Sequence, residues 1–172
     1  MTVAASETAF PIDIQLADSA AAVTRRYAYW SGGAGLIPVP LVDLVLVGGI
    51  QVKMVAELAK IYDTPFSETR AKAVIGALVG TIAPYGVASV VLGGMMAIPV
   101  IGTLANLTVG PALGFASTLA VGKVFTRHFS EGGTLLSFSA EKAREYYKHE
   151  FETARKSAPN DAVIAEEAKK HK

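Results

Sequence analysis

The chain contains no cysteine and carries almost no surplus of charge. Without cysteine it has no disulfides, no thiolate nucleophiles and no thiolate metal ligands. Its 16 basic and 15 acidic residues leave a formal net charge of +1, so it lacks the basic field that gathers nucleic-acid phosphates. We therefore expect no nucleic-acid partner. The N-terminus has acids before any base and no short apolar core, and we do not expect it to act as a cleaved leader.

Catalytic signatures are missing as well. The three histidines lie in charged segments, and none has a second histidine at metal-ligand spacing. No serine, acid and histidine combination has the strand–turn–helix context of a nucleophile. The phosphate-binding pattern GxxxxGK[ST] does not occur. The sequence therefore predicts a protein that is not an enzyme and uses no metal or other cofactor.

Charged residues and histidine are absent from the whole of residues 73–122, a stretch of 50 residues. A helix that spans a membrane takes about 20 apolar residues, so this stretch is long enough for two passes. Pro99 and Gly102 predict a turn within it. We therefore expect an apolar helical hairpin, with one helix from about residue 70 to 97 and a second from about 104 to 125.

Burial inside a protein is the alternative to membrane insertion for this hairpin. A bundle of amphipathic helices could enclose it at the centre. A surface helix of such a bundle normally keeps a polar face, and neither hairpin helix has one. The remaining amphipathic segments are too few to surround two apolar helices unless oligomerisation supplies more cover. The sequence favours a membrane-inserting hairpin over a buried one.

Small residues recur in the hairpin at the spacing that lets helices pack closely. One GxxxG pair is formed by Gly76 and Gly80. A longer stripe repeats at every fourth residue of the second helix and consists of Gly110, Gly114, Thr118 and Gly122. Because close backbone contact is a main source of helix association in lipid, these residues are predicted to serve helix packing or oligomerisation.

A second apolar block, residues 30–50, contains one acid. The sequences "SGGAG" and "PVP" break this block and favour a short re-entrant hairpin. Pro40 predicts a helix start nearby, with Asp43 in the first turn beside the positive helix end. That interaction stabilises the charge by about 0.3–1 kcal/mol. Placing an acid at the centre of a membrane helix costs more, about 2.5–3.5 kcal/mol. We expect a capping or interfacial role. A contact with Arg25 or Arg26 and an ion pathway are the alternatives.

Amphipathic segments flank the two apolar blocks. They comprise an N-terminal segment, a middle helix carrying Lys53, Glu57 and Lys60 on one face, and a C-terminal helix that Ser139 caps. Every basic cluster borders an apolar block, which predicts that all the charged segments lie on one side of the membrane, the cytoplasmic side. The predicted domains are an N-terminal amphipathic segment (1–29), a hydrophobic helical-hairpin domain (30–129), and a charged C-terminal helix and tail (130–172).

Two motifs carry a resemblance to a known family. The first reads I-P-x-P-x-x-D and the second Q-x-x-M-x-x-x-L-A-x-x-Y. Their residues in this chain are Ile37, Pro38, Pro40 and Asp43, then Gln51, Met54, Leu58, Ala59 and Tyr62. With the following hairpin and the closing "GKVFTRHF", residues 26–129 resemble the YcjF-type, GTPase-associated membrane domain of unknown function. The resemblance implies a helical membrane domain, sometimes fused to an Era-like GTPase, with no established catalytic activity. Since this chain lacks the GTPase, nucleotide hydrolysis would need a separate partner.

The sequence thus predicts an all-α protein built from membrane-inserting apolar hairpins and amphipathic helices. Its expected partners are the lipid bilayer, further copies of itself and a separate GTPase. The function ranked first is a self-associating membrane scaffold. The second is a membrane anchor that recruits a GTPase or stress factor. The third is an ion-conducting or transport protein in which the broken block at residues 32–40 lines the path and Asp43 supplies the field.

Overall fold

The structure, a computed structural model, describes residues 11–36, 42–81 and 99–170. Within these ranges the regular structure is helical and no β-strand is present, so the predicted all-α class is confirmed. The helices are α1 (Pro11–Ala34), α2 (Val42–Ile61), α3 (Glu68–Gly80), α4 (Pro99–Ser130), α5 (Ala140–Lys156) and α6 (Asp161–Lys170).

Helix α4 is the central element, and its neighbours define the topology. Gly35 at the end of α1 lies against Gly110, whereas Thr24, nearly three turns earlier, lies against Gly122, so α1 and α4 are antiparallel. Helix α2 runs parallel to α4, because Gln51 reaches Thr118 and the ring of Tyr62 packs beside that of Phe129. Helix α3 follows α2 after a six-residue connection and packs back against it.

The apolar faces of these helices meet in one main core. In α2 the residues with helical spacing point inward, as the amphipathic pattern predicts. The largest completely buried apolar side chains come from α2, α3, α4 and α5, and include Met54, Leu58, Leu78, Phe125, Tyr147 and Phe151. A smaller cluster of Ala28, Phe115 and Ile164 holds α6 against α1 and α4.

Local turn chemistry fixes where the helices end. The turn after Ser130 stops α4. Gly132 in this turn has a positive φ of 78°, which suits a glycine, and the Gly133 amide donates back to the His128 carbonyl. Asp63, with φ of 48°, closes α2 in the same way, since the next amide donates to the Ala59 carbonyl. Helix α5 begins as predicted, because the Ser139 hydroxyl accepts from the Lys142 amide.

Two predicted breaks in the chain are wrong. Pro99 was expected to form a turn with Gly102, but α4 begins at Pro99 and continues through Gly102 to Ser130. Proline suits the first turn of a helix, where its missing N–H group has no partner to lose. The segment "SGGAG" does not interrupt α1 either, because α1 is helical through Ala34. Its glycines allow α1 to approach the α4 backbone closely instead.

Membrane insertion of the predicted hairpin is not confirmed. Its first helix is described only as α3, and residues 82–98 lie outside the described ranges. The described part of α4 after residue 110 is surrounded by other helices of the chain, which is the environment of the bundle alternative. Among the helices that the structure describes, none combines the length and the apolarity needed to cross a membrane.

Candidate functional site

Charge is concentrated at one end of the helical core. Arg26 of α1 pairs with Glu57 of α2, and Lys123 of α4 pairs with Glu150 of α5, each at 2.6 Å. Toward the other end, α1 has no charged residue after Arg26, α3 none after Lys72 and α4 none before Lys123, whereas α2 has one before Lys53, Asp43 in its first turn. We call this part of the bundle the charge-free end, and it comprises residues 27–36, 44–52, 73–81 and 99–122. The directions of the helices bring these four segments together at one end of the bundle. Charged and uncharged stretches that alternate along the chain are therefore separated in space.

Helix α2 exposes apolar side chains at the charge-free end. Val45 is 75% exposed and Leu46 is 38% exposed. Gly48 and Gly49 follow on the same helix, and a Cβ atom added at either would meet open space within 4 Å. Among the described residues, the other large exposed apolar side chains outside α6 are Ile14, Phe66 and Leu136, of which Leu136 is 71% exposed. They lie singly at the charged end, where scattered exposed apolar residues are ordinary. The start of α2 therefore presents two exposed apolar side chains within a charge-free segment, just after Asp43.

Helix α3 presents a smooth outer face next to α2. Its inward side chains Ile75 and Leu78 are buried. The outward positions are small and exposed, at Ala73, Gly76, Ala77 and Gly80. Added Cβ atoms at both glycines would meet nothing within 4 Å. Among the described residues, this GxxxG pair therefore has no helix packed on it.

The longer small-residue stripe is occupied by α1 of the same chain. A Cβ atom at Gly114 would lie 2.7 Å from the Ser31 carbonyl oxygen, and one at Gly122 would lie 2.3 Å from the Thr24 side chain. Gly110 lies against Gly35 in the same way. The stripe thus serves helix packing within one chain, and its part in oligomerisation stays a prediction.

A chain of buried polar side chains crosses the core at the charge-free end. The Gln51 amide donates to Ser117 Oγ at 3.1 Å and to Thr118 Oγ1 at 3.2 Å. Thr118 in turn donates to Ser31 Oγ at 2.7 Å, and Ser117 Oγ lies 3.2 Å from the Tyr147 hydroxyl. These bonds tie α1, α2, α4 and α5 together in a single register, since a slip of any helix would leave a buried polar group without its partner.

Burial raises the pKa of Tyr147 to about 12, with its hydrogen bond to Ser117 acting in the opposite direction. The phenol is therefore neutral at physiological pH and can both donate and accept. A neutral hydroxyl is the form that the surrounding apolar core accommodates at least cost.

An arginine and two aromatic rings mark the edge of the charge-free end. The Arg26 guanidinium contacts both Glu57 carboxylate oxygens at 2.6 Å and lies 5.1 Å and 5.7 Å from the ring centres of Tyr27 and Trp30. The Tyr27 hydroxyl donates to the same carboxylate at 2.9 Å. The hydrogen bond to Glu57 raises the pKa of Arg26, with burial opposing it. Arginine, tyrosine and tryptophan are the residues that anchor proteins at the level of lipid headgroups.

The predicted family-motif residues divide between core and helix start. Gln51, Met54 and Leu58 are buried in the core, and Tyr62 packs against Phe129. Helix α2 begins at Val42, which confirms the prediction that Asp43 lies in its first turn. Pro38 and Pro40 lie outside the described residues, as does Ile37. Arg26, one of the partners considered for Asp43, is engaged by Glu57 instead.

Three members of the polar chain were not predicted from the sequence. Ser31, Ser117 and Tyr147 were passed over, although Gln51 and Thr118 were both named. One signal was available, because Ser117 and Thr118 place two adjacent hydroxyls inside an otherwise apolar helix, where they need partners. Tyr147 gave no such signal, since its neighbours in α5 are charged.

The described ranges contain no group of three or more histidine, aspartate or glutamate side chains placed to hold a metal ion. His128 instead lies at hydrogen-bond distance, 2.9 Å, from the Thr134 carbonyl and packs edge-on against Phe138. Its contacts hold the loop between α4 and α5.

Sequence comparison assigns the chain to a family. Residues 6–156 match the family described as Domain of unknown function (DUF697), and the chain belongs to it. This confirms the resemblance drawn from the two motifs. The chain is also similar to Magnetosome membrane protein 22 of Magnetospirillum gryphiswaldense, with 34% identity over 129 residues. The match covers 74% of this chain and 66%, just under two thirds, of that relative. No solved structure matches the chain.

Proposed function

We propose that this protein is a non-enzymatic membrane scaffold whose charge-free end enters one leaflet of a bilayer while its charged end stays in water. The observation that carries the proposal is the exposure of the apolar side chains of Val45 and Leu46 in the charge-free segment of α2. Similarity to a relative that is named a membrane protein also supports membrane association. The basic residues at the other end support a cytoplasmic location for the charged end, by the positive-inside tendency.

The length of the charge-free segments fits one leaflet. Residues 44–52 of α2 are nine residues, and the helical parts of the segments in α1 (27–34) and α3 (73–80) are eight residues each. At a rise of about 1.5 Å per residue these helical segments are about 12–14 Å long. Half of a hydrocarbon core about 30 Å thick has a similar depth. Among the helices that the structure describes, only α4 continues uncharged beyond this level, through its first turns.

The energetics of entry depend on α2. Moving the exposed Val45 and Leu46 from water into an apolar phase contributes at most about 1.5–3 kcal/mol for each side chain. Asp43 opposes entry into the bilayer. An acid deep in a bilayer costs about 2.5–3.5 kcal/mol, and its interaction with the positive end of the helix offsets only about 0.3–1 kcal/mol of that cost. The balance favours a protein that binds membranes without being fixed in them permanently.

Self-association is the second part of the proposed function. The small outer face of α3 lets another helix approach closely, which is the main requirement for helix pairing in lipid. The corresponding stripe of α4 is already filled by α1. We therefore assign the contact between copies to Gly76 and Gly80.

Vesicle flotation tests the membrane part. Val45→Glu should move the protein from the floated fraction to the soluble fraction. Lys60→Glu is the matched control, since Lys60 is an exposed position on the same helix at the charged end. Equal flotation of the two variants, or no flotation of the unaltered protein, would refute membrane entry by the charge-free end.

Sedimentation of the vesicle-bound or detergent-bound protein tests self-association. Gly76→Leu should reduce the oligomer size while the helical content stays the same. Lys142→Leu, which places leucine on an exposed position of α5, controls for a general effect of added apolar surface. An unchanged oligomer in Gly76→Leu would exclude α3 as the contact.

A further inference from the structure

Helix α6 is an addition to the family domain that is docked on its charge-free end. The family match stops at residue 156, before α6 begins at Asp161. Ile164 is the buried residue of α6 and packs with Ala28 of α1 and Phe115 of α4. Ala28, Phe115 and the glycines of α1 described next belong to the charge-free segments of these two helices.

Two glycines of α1 form the floor on which α6 lies. A Cβ atom at Gly32 would come within 2.6 Å of the Ile164 Cγ2 atom. One at Gly33 would come within 2.8 Å of the Ala168 Cβ atom. Any larger residue at either position would push α6 away, so these glycines explain how closely the two helices approach.

The charge on α6 conflicts with its position. Half of its ten residues are charged, namely Asp161, Glu166, Glu167, Lys169 and Lys170. Lys170 pairs with both Glu166 and Glu167 on the exposed side. A helix of this composition cannot accompany the charge-free end into hydrocarbon, because each charge would lose its hydration there.

We propose that α6 is a detachable cover that leaves the groove of Ala28, Gly32, Gly33 and Phe115 when the charge-free end enters a bilayer, and that lipid acyl chains then contact the uncovered groove. The inference rests on the proposed function. Detachment is mechanically simple, since one buried isoleucine anchors α6 and the four residues 157–160, with a proline at Pro159, join it to α5. After release, the charged helix remains in the aqueous and headgroup region.

A disulfide lock tests the cover in the full-length chain. The variant Gly33→Cys/Ala168→Cys places two cysteines on facing positions of a chain that has no other, and α6 must move outward by about 1 Å to reach the usual Cβ separation of about 3.8 Å. The probe is flotation with vesicles of phosphatidylethanolamine and phosphatidylglycerol. The oxidised variant should bind several-fold less than the same variant after reduction. Reductant should not change binding of the unaltered protein.

A second pair of variants needs no disulfide. Ile164→Asp should release α6 and raise vesicle binding above that of the unaltered protein. Val163→Asp is its control, because it adds the same charge at the neighbouring exposed position. If oxidised and reduced forms of the locked variant float equally, or Ile164→Asp binds no better than Val163→Asp, the cover is refuted and membrane entry stands. If no variant and no unaltered protein floats, both proposals fail.

Discussion

The Thr118 hydroxyl donates a hydrogen bond of 2.7 Å to the Ser31 hydroxyl, deep between α4 and α1. Both residues are completely buried. The same Thr118 oxygen accepts from Gln51, so three helices meet at one side chain. This position is the point at which the small-residue stripe of α4 and the second family motif come together.

Thr118→Val should destabilise the protein, because valine has the same shape but can neither accept from Gln51 nor donate to Ser31. The expected loss is about 1–3 kcal/mol in the free energy of unfolding, the usual cost of a buried polar group without a partner. Chemical denaturation measures it. Thr153→Val on the exposed face of α5 should change stability little, and equal losses in the two variants would contradict the buried polar chain.

Gly114→Ala and Gly76→Ala should have opposite effects on stability. At Gly114 the new methyl group would lie 2.7 Å from the Ser31 carbonyl, so α1 and α4 must separate, at a cost of about 1–3 kcal/mol. At Gly76 the methyl group meets open space, and alanine should stabilise α3 by about 0.4–1 kcal/mol. Thermal unfolding in the monomeric state compares them. A neutral Gly114→Ala would mean that α1 does not pack on this stripe.

Alkaline pH should destabilise the fold through Tyr147. In the unfolded chain a tyrosine loses its proton near pH 10, whereas the native Tyr147 holds its proton to a pKa of about 12. The unfolded state therefore binds fewer protons between these values, and stability falls as pH rises through this window by about 2–3 kcal/mol. Tyr147→Phe should be less stable than the unaltered protein at neutral pH, but its free energy of unfolding should fall less between pH 10 and 12. Identical pH profiles for the two proteins would contradict the buried phenol.

Asp43→Asn should strengthen membrane binding. Helix α2 places residue 43 in its first turn, at the far tip of the charge-free end, where an ionised carboxylate opposes entry. Asparagine can still accept hydrogen bonds from the free amides of the first turn, so the loss of stability should be modest. Removing a net cost of about 1.5–3 kcal/mol should raise vesicle affinity by about tenfold or more. If affinity is unchanged and a cation flux through vesicles disappears in this variant, the conducting function is favoured over the scaffold.

Much of the fold could be predicted from local sequence patterns that allow only one structural interpretation. The amphipathic period of α2, the Ser139 cap and the position of Asp43 in a first turn are local features, and the structure has all three. The two breaks at "SGGAG" and Pro99 were wrong because glycine and proline were judged by their local preference alone. Packing against Gly110 and Gly114 keeps the glycine-rich end of α1 helical, which the sequence could not reveal without knowing its partner.

The site was predictable only in part for the same reason. Gln51 and Thr118 were named for a motif and for small size, and neither argument indicates that they bond to each other across 67 positions of sequence. The stripe at Gly110 to Gly122 looked more suited to self-association than the Gly76/Gly80 pair. In three dimensions α1 fills the stripe and leaves the pair exposed. Which of the two small-residue surfaces is covered depends on how the helices are arranged in the fold.

Depth measurements on α2 test the central claim, that the charge-free end enters a bilayer and the charged end does not. Val45→Cys and Lys60→Cys, each labelled with an environment-sensitive fluorophore, place probes on exposed positions of one helix about 22 Å apart. On adding vesicles, the probe at residue 45 should shift to the blue and be quenched by lipids that carry a quencher in their acyl chains, while the probe at residue 60 stays in water. Equal aqueous emission from both probes on vesicle-bound protein, or deeper burial at residue 60, would contradict the account.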